Sequence, residues 1–341
     1  MHLNFGRLDA LPRAKLAHLP TPLELMPNLT AAVGGAHMFV KRDDCTGLAF
    51  GGNKARQLEF YLGAARLEAA DTILITGAVQ SNYVRMAAAA ARRLGMDIHI
   101  QLEERVPNND RAYRESGNVL LDRMLGATLY AYPQGEDEAG ADARLEDLAG
   151  DLRAKGRKPF VVHLGANYPP LGALGYVVAA GELLEQARAL DVSFDEVVVA
   201  SGSGHTHAGI LYGLRAMECS AQVTGVCVRR GREPQIVRII DHCARIAQLL
   251  DMHSPVQLGD IHLIDDFLAP GYGLLNELTI NAIKLAAQKE ALLLDPVYTG
   301  KVMAGAIDRA QKLGREKTIL FVHTGGGPGI FGYEAVLNGV L

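Results

Sequence analysis

Cysteine is scarce in this chain, and its four cysteines are scattered. No two of them have the Cys-X-X-Cys spacing that is typical of zinc sites and redox motifs. The pattern predicts reduced thiols in a cytoplasmic protein, buried as small hydrophobic side chains and binding no metal. They are Cys45, Cys219, Cys227 and Cys243.

The chain also lacks tryptophan, an excess of positive charge and long apolar runs. Its formal net charge is -4 at pH 7, so we expect no nucleic-acid surface. No segment approaches the roughly 20 consecutive apolar residues that span a bilayer. The N-terminal residues 1–16 have no unbroken apolar core of the kind found in signal peptides. The expectation is a cytoplasmic protein without a membrane partner.

What is present indicates an α/β protein with two lobes. The 341 residues are 49% hydrophobic and 21% charged, and this length exceeds what one core comfortably serves. Strand-like and helical runs alternate, which predicts parallel sheets covered by helices on both faces. The predicted strands are 38–42, 72–77, 98–102, 127–132, 159–164, 196–200, 222–228 and 318–326. The predicted helices are 58–69, 84–95, about 113–125, about 138–155, about 172–189, one from about 206, and two more before the last strand.

In open sheets of this kind, ligands bind beyond the carboxyl ends of the strands. Five loops at such positions carry polar residues and glycines: 51–56, 76–83, 201–209, 294–301 and 323–329.

The first of these loops contains a lysine after two glycines. We expect Asn53 to cap the following helix, with Lys54 in its first turn. The positive end of the helix dipole disfavours an ammonium there, and a lowered pKa is what a Schiff-base lysine needs. The alternative is a solvated lysine on a capped surface helix.

Two further loops offer anion sites. Ser81 and Asn82 open a helix after a buried strand, which suits either a carboxylate pocket or simple capping. The glycine-rich loop 201–209 precedes another helix and predicts a phosphate cradle. Because Arg229-Arg230 ends the next strand, an NADP-dependent oxidoreductase is an alternative. His205 and His207 are interpreted as capping or pocket residues rather than metal ligands.

The last two loops add hydroxyl groups. Tyr298 lies between a proline turn and a glycine turn, where it either reaches a cleft or packs in the core. Thr324 is the first polar group after the last strand, and four glycines follow it within five positions. A lysine, a phosphate cradle, a carboxylate pocket and a hydroxyl aimed at a ring together predict a pyridoxal phosphate (PLP) site.

Motifs in all five loops resemble one PLP family from about residue 15 to 335. They are KRDDCTGL, GGNK, QSN, SGSG, DPVYTGK and HTGG, in the family's order. The family contains D-cysteine desulfhydrase, L-cysteate sulfo-lyase and 1-aminocyclopropane-1-carboxylate deaminase. The resemblance implies PLP fold type II, as in the tryptophan synthase β chain, and usually a homodimer. It also implies a large PLP-binding lobe, 1–54 and 166–341, and a small lobe, 55–165.

The resemblance further implies roles for individual residues. Lys54 would carry PLP, Asn82 would bond the ring's phenolic oxygen, and Thr324 would bond the pyridine nitrogen. The phosphate would lie against Ser203, Gly204, His205 and Thr206, and the substrate against Ser81, Asn82, Tyr83, Tyr272 and Tyr298.

The implied reaction is β-elimination from a small amino acid. A threonine cannot hold the pyridine nitrogen protonated as an aspartate would, so the weaker electron sink suits loss of a good β leaving group better than transamination. Lys54 would remove the α proton, assisted by Tyr298 or Ser81. Sulfide or sulfite would leave, and pyruvate and ammonia would follow.

Some positions depart from the family's usual motifs. Many desulfhydrases have GGNKTRKLEF and QSNHVR where this chain has Ala55, Gln57 and Tyr83, and a glycine where it has His205. Together with the segment 101–105, these differences favour L-cysteate over D-cysteine as substrate. The alternative is neutral drift of residues around the pocket, without a change of substrate. Thr299 replaces a glutamate typical of the cyclopropane deaminases and argues against ring opening. A further alternative is a non-catalytic protein with the PLP fold, which would bind the cofactor or sense a ligand without turning over a substrate.

Overall fold

The computed structural model describes residues 7–165 and 167–340, which form two sheets with helices packed around them. The larger sheet contains β1 (Leu23–Leu25), β2 (His37–Lys41), β7 (Glu196–Ser201), β8 (Gln222–Cys227), β9 (His262–Ile264) and β10 (Thr318–Val322). The smaller sheet contains β3 (Thr72–Ala78), β4 (Asp97–Glu103), β5 (Thr128–Tyr132) and β6 (Pro159–Val162).

Nearly all strand neighbours are parallel. The large sheet has the order β1-β2-β10-β7-β8-β9, and the small sheet the order β5-β4-β3-β6. Only the β1–β2 pair is antiparallel among the strands described. The predicted class, α/β with two open parallel sheets, is therefore confirmed. The lobe boundaries at 54/55 and 165/166 stay a prediction.

Thirteen helices are described: α1 (Pro27–Val33), α2 (Lys54–Leu67), α3 (Asn82–Arg93), α4 (Arg111–Glu115), α5 (Gly117–Met124), α6 (Glu138–Ala154), α7 (Leu171–Ala189), α8 (His205–Ala216), α9 (Arg232–Leu250), α10 (Glu277–Glu290), α11 (Thr299–Leu313), α12 (Gly329–Gly332) and α13 (Glu334–Asn338). None of these helices is long and apolar enough to cross a membrane.

Alternate residues of the central strands enter different cores, because successive side chains point to opposite faces of a sheet. In β7, Val197 and Val199 pack with α7, α8 and α9, whereas Val198 packs with α10 and α11. In β3, Ile73 and Ile75 pack with α2 and α3, whereas Leu74 packs against α6. Helices thus cover both faces of each sheet, and the carboxyl ends of the strands stay free for a site.

Several boundaries differ from the sequence predictions. The helix predicted near 113–125 is broken into α4 and α5, because Gly117 has φ 58° and its backbone lies against the Gln80 side chain. The last strand ends at Val322 rather than 326, since Gly325 and Gly326 have positive φ. Three helices, α9, α10 and α11, precede it where two were expected.

The cysteine prediction holds for two of the four residues. Cys227 and Cys243 are buried, whereas Cys45 is exposed and Cys219 half-buried. The prediction is wrong for these last two because Cys45 is on the exposed side of a short 3-10 helix after β2, and Cys219, in the connection between α8 and β8, packs against the core only in part.

Candidate active site

One pocket lies where the carboxyl ends of both sheets meet. Its wall includes the first turn of α2, the start of α6 and the loops after β3, β4, β6, β7, β8 and β10. The lining residues are Asn53, Lys54, Thr76, Gly77, Ala78, Ser81, Asn82, Tyr83, Glu103, Arg105, Glu138, Ala141, Asp142, Leu164, Gly165, Ala200, Gly202, Ser203, Gly204, Thr206, Arg229, Arg238, Tyr272, Tyr298, Thr324 and Gly325.

The pocket brings together all the residues predicted for the site except His205. The His205 side chain is buried outside the lining, with its ring 4.9 Å from that of His242 and 6.5 Å from that of Tyr61, centroid to centroid. This side chain therefore packs behind the loop and does not line the pocket, so a contact of His205 with a phosphate would come from its main chain. Its main chain still begins α8.

Lys54 is the first residue of α2, and its amine faces the pocket. Nζ lies 4.9 Å from the centroid of the Tyr83 ring. Burial lowers the pKa of the Lys54 ammonium to about 8, because a buried site disfavours the charged form. A substantial fraction of this amine is therefore neutral, and so nucleophilic and basic, near neutral pH.

Asn53 does not cap α2 through its side chain, contrary to the prediction. Its backbone is already helical, with φ −56° and ψ −24°, whereas a capping residue usually has an extended backbone. Its Nδ2 instead donates to Thr206 Oγ1 at 2.9 Å. The side chain thus joins the lysine loop to the helix that follows the glycine-rich loop.

Thr206 has a hydroxyl proton available for the pocket. Its Oγ1 accepts from both Asn53 Nδ2 and Gln57 Nε2, the latter at 2.8 Å. A hydroxyl with two incoming donors directs its own proton elsewhere, and Thr206 lines the pocket. Thr206 can therefore donate to an anion there.

Two carbonyl groups of the glycine-rich loop are bound by side chains of α9 and of the segment before it. Gly202 O accepts from Arg230 Nη1 at 3.2 Å and from Gln235 Nε2 at 3.1 Å. Ser203 O accepts from Arg238 Nε at 2.8 Å, and the His242 Nε2 lies 2.9 Å from the same oxygen. These contacts leave the amides at the start of α8 for an anion. Such a cradle fits the phosphate of PLP.

Gly204 shows why this loop needs glycine. Its φ is 95°, a conformation that residues with a Cβ seldom adopt. A Cβ there would lie 2.8 Å from Cδ2 of the buried His242 ring.

Ser81 and Asn82 begin α3, as the sequence predicts. Ser81 is the N-cap, and its Oγ accepts from the amides of Tyr83 and Val84 at 3.2 and 3.5 Å. Asn82 Oδ1 accepts from Asn118 Nδ2 at 2.9 Å. The Asn82 Nδ2 is thereby left as the donor for the pocket, which fits an oxygen on the cofactor ring.

Two half-buried tyrosines form a hydrogen-bonded pair in the pocket wall. Their hydroxyl oxygens, Tyr272 Oη and Tyr298 Oη, lie 2.6 Å apart. Burial raises the pKa of Tyr298 well above its usual value, and the neighbouring Tyr272 adds to the effect. Asp295 accepts from the amide of Tyr298 at 2.8 Å and so fixes the turn that carries it. Both phenols therefore stay protonated at neutral pH and can donate.

Thr324 reaches the pocket from the last loop of the large sheet. Its carbonyl accepts from the Asn53 amide at 3.0 Å, and the next residue, Gly325, lies against the backbone of Gly52. A Cβ on Gly325 would be 2.6 Å from Gly52 Cα. The glycines of the two loops therefore allow the lysine and the threonine to share one wall.

The sequence reasoning missed Glu138 and Arg238 on the remaining wall and assigned a different role to their neighbours Arg229 and Arg230. Glu138 of α6 receives Arg229 Nη1 at 2.6 Å, a close contact from Arg230, and Arg238 Nη1 at 3.4 Å. Arg229 and Arg230 had suggested a binding site for a ribose phosphate. The structure pairs them with a carboxylate beside the lysine pocket, so that interpretation is wrong.

Arg105 and Arg229 bring two guanidinium groups to this wall. Arg105 pairs with Glu103 through Nε at 2.9 Å. The Arg229 side chain is 10% exposed, and its Nε has no hydrogen-bond partner among the described residues. Three arginines share the single carboxylate of Glu138, so this wall favours an anion. Over 7–165 and 167–340, no group of three or more acidic, histidine or cysteine side chains could hold a metal ion.

Comparison with known proteins agrees with this pocket. The model of a family described as pyridoxal-phosphate dependent enzyme matches residues 14–325. A D-cysteine desulfhydrase of Klebsiella pneumoniae subsp. pneumoniae is 41% identical over 334 residues, which cover 97% of this chain and 99% of the relative. A D-cysteine desulfhydrase of Salmonella typhi is 41% identical over 329 residues, covering 96% and 98%.

A solved structure is similar over the whole chain. It is described as the crystal structure of the ACC deaminase homologue, and it superposes with a TM-score of 0.89 at 34% identity, covering 100% of both chains. The fold and the order of the motifs therefore agree with those of known relatives from end to end.

Proposed function

The chain belongs to the family of pyridoxal-phosphate dependent enzymes, and we propose that it cleaves the carbon–sulfur bond of a cysteine-like amino acid by β-elimination. Pyruvate and ammonia are the remaining products. The observation that carries the proposal is the half-buried Lys54 amine, with its pKa lowered to about 8, in a pocket that also offers a phosphate cradle and two phenols.

PLP would be held by residues from both sheets. Lys54 would bind it covalently, the amides of Ser203, Gly204 and His205 with the Thr206 hydroxyl would bind its phosphate, and Asn82 Nδ2 and the Thr324 hydroxyl would contact its ring. Bound PLP supplies an electron sink for negative charge that develops at the α-carbon of an amino acid.

Lys54 and the two tyrosines carry the proton transfers. The neutral Lys54 amine would accept the α proton, since a base of pKa about 8 is well matched to neutral pH. Tyr298, protonated and bonded to Tyr272, donates toward the departing β substituent or assists Lys54. Ser81, whose hydroxyl oxygen accepts from two amides of α3 and whose proton is left to donate, would bind the substrate carboxylate. Tyr83 would flank the substrate beside Lys54.

D-cysteine is the first candidate substrate. Relatives that cover nearly the whole chain at 41% identity carry the name D-cysteine desulfhydrase. Loss of sulfide from D-cysteine needs a proton donor near the sulfur, and the Tyr272–Tyr298 pair supplies one.

L-cysteate is the second candidate, and the arginine wall favours it. A sulfonate carries a full negative charge, which the guanidinium groups of Arg105 and Arg229, both in the pocket lining, would attract. Elimination would then release sulfite. The two candidates, D-cysteine and L-cysteate, are distinguished by the enantiomer that reacts and by the leaving group that is released.

Ring opening of 1-aminocyclopropane-1-carboxylate ranks third. The solved relative's description names an ACC deaminase homologue. In this chain, the residue after Tyr298 is Thr299, a buried side chain whose Oγ1 accepts from the Asp295 amide at 2.8 Å and which is not part of the pocket lining. Thr299 therefore provides no carboxylic acid at the position after Tyr298.

The wider proposal is a cytoplasmic homodimer with a large PLP-binding lobe, 1–54 and 166–341, and a small lobe, 55–165. The division is supported by the two separate sheets, since β3 to β6 lie within the proposed small lobe.

A substrate panel on the purified protein tests the proposal. D-cysteine, L-cysteine, L-cysteate, D-cysteate and the cyclopropane acid would be assayed for pyruvate and ammonia, with Lys54→Ala as control. Sulfide from D-cysteine identifies a desulfhydrase, and sulfite from L-cysteate identifies a sulfo-lyase. Ring-opened keto acid alone overturns the proposed elimination. Bound PLP with no product from any of the five overturns it in favour of a non-catalytic binding protein.

A further inference from the structure

The loop that leads into Lys54 has a backbone that few residues adopt. Within 47–52, five residues have positive φ, and two of them, Ala49 at 42° and Phe50 at 69°, are not glycine. The left-handed region is unfavourable for residues with a Cβ. Phe50 is also 71% exposed, so burial of its ring does not explain the conformation. Contacts from elsewhere must hold these peptides.

The side chain that contacts them is Arg85 of α3. It is completely buried, and its Nη1 donates to the carbonyl of Ala49. Nη1 and Nη2 also lie 3.5 and 3.4 Å from the carbonyl oxygen of Gly51. The terminal nitrogens of the guanidinium group thus reach the carbonyl oxygens of the residues before and after Phe50. A lysine ammonium has only one nitrogen and could not bridge the two oxygens with the same geometry.

Arg85 acts on the loop and not on a ligand. It is absent from the pocket lining, whereas Lys54, three residues after Gly51, is part of it. The far side of the loop is fixed by Thr46, whose Oγ1 lies 2.8 Å from both the amide and the carbonyl oxygen of Gly52. Arg85 is therefore the side chain that determines where the 49–51 peptides lie relative to α3.

A buried acid accompanies Arg85. Asp122 of α5 is completely buried, and neither of its carboxylate oxygens, nor Arg85 Nε, has a hydrogen-bond partner among the described residues. Burial lowers the pKa of the Arg85 guanidinium to about 10 and raises the pKa of the Asp122 carboxyl to about 8. The guanidinium thus stays protonated at neutral pH, and its two terminal nitrogens remain donors for the loop.

We propose that Arg85 is a positioning residue, which holds the left-handed 49–51 peptides and thereby places the Lys54 amine at the pocket. The proposal rests on the proposed role of Lys54 as the cofactor lysine. It predicts that the shape of the guanidinium matters in addition to its charge.

The test compares Arg85→Lys and Arg85→Ala with Arg93→Lys, a change of an exposed arginine on the same helix. Hydrogen exchange of the 47–53 amides in the cofactor-free protein reports the loop directly. The rate at which added pyridoxal phosphate is captured reports the lysine. We expect both Arg85 variants to exchange at least tenfold faster in this segment and to capture the cofactor at least tenfold more slowly. Added guanidinium ion should restore part of the capture rate of Arg85→Ala only.

A folded Arg85→Lys protein whose exchange and capture rates stay within twofold of those of the parent overturns the proposal. If Arg85→Ala does not fold, Arg85→Lys decides, because it retains the charge and most of the buried volume. If the parent releases no pyruvate from any substrate, the proposed function fails, but the exchange rates of 47–53 still test the positioning role separately.

Discussion

The side-chain amide of Asn118 donates to Oδ1 of Asn82 at 2.9 Å, and this contact sets which end of the Asn82 amide faces the pocket. Asn118 is itself fixed by Gln80, since its Nδ2 donates to Gln80 O and its amide donates to Gln80 Oε1, each at 2.9 Å. The three amides form a chain from α5 to the start of α3. Asn118, which is outside the pocket lining, thereby orients the Asn82 Nδ2 donor within the pocket.

Replacing Asn118 should therefore weaken cofactor binding. Asn118→Ala leaves the Asn82 amide free to turn, and loss of one hydrogen bond to the cofactor, worth on the order of 1 kcal/mol, should raise the dissociation constant of PLP roughly fivefold. Titration of the cofactor-free protein with PLP measures this. Asn338→Ala, at an exposed position of α13, is the control, and equal affinity in the two variants would contradict the orienting role.

Capture of the cofactor should depend on pH through Lys54. Burial lowers the pKa of this ammonium from 10.5 to about 8, so about a tenth of the amine is neutral at pH 7 rather than less than a thousandth. Only the neutral amine attacks an aldehyde. The capture rate of the cofactor-free protein should rise from pH 6 to about 8 and then level off. A rate that continues to climb past pH 10 would show that the lysine is not perturbed.

The phenol pair should matter for turnover more than for binding. Tyr298→Phe removes the donor while keeping the ring, and we expect kcat to fall about a hundredfold with little change in KM. Tyr212→Phe is a matched control, because the Tyr212 hydroxyl is buried without a partner among the described residues. Steady-state pyruvate formation separates the two effects. A loss confined to KM would assign Tyr298 to binding only.

Arg229 should distinguish acidic from neutral substrates. Arg229→Gln keeps a polar side chain but removes the charge beside the pocket. We expect kcat/KM for L-cysteate to fall at least about tenfold and that for D-cysteine to stay within about threefold, since a charge-assisted hydrogen bond is worth roughly 1.5–3 kcal/mol. The exposed Arg93→Gln serves as the control. Equal losses for both substrates would show that Arg229 supports the pocket's structure instead.

Local sequence signals were sufficient to locate most of the pocket. Polar residues beside glycines directly after apolar strands identified Lys54, Ser81, Thr206 and Thr324, because parallel strands bring their carboxyl ends to one edge of a sheet. Tyr298 was found in the same way, from its position between two turns. All five line the pocket.

Contacts between distant segments could not be predicted in this way. Asn118 and Arg85 act through side chains that meet partners more than 30 residues away. The Glu138 junction joins α6 to residues more than 90 positions later. The sequence singled out Arg229 and Arg230. Only the packing shows that their partner is the carboxylate of Glu138, in the helix α6 that packs on the smaller sheet. The side-chain direction of His205 was likewise decided by its packing against His242.

Lys54 and Lys301 differ in their surroundings although burial perturbs both, so comparing them separates the effect of pocket geometry from that of a lowered pKa. Burial lowers the pKa of both ammonium groups to about 8. The amine of Lys301, however, donates to the carbonyls of Leu268 and Gly271 at 2.7 and 2.8 Å and is not part of the pocket lining. A lowered pKa alone would make the two lysines equally reactive, whereas the geometry of the pocket selects Lys54.

The most direct measurement is borohydride reduction of the PLP-loaded protein followed by peptide mass mapping, on the parent and on Lys54→Ala and Lys301→Ala. We predict one modified lysine, Lys54, in the parent and in Lys301→Ala. Lys54→Ala should carry no modification and release no pyruvate from D-cysteine or L-cysteate. Modification of a different lysine in the parent, or pyruvate release by a folded Lys54→Ala protein, would contradict the account.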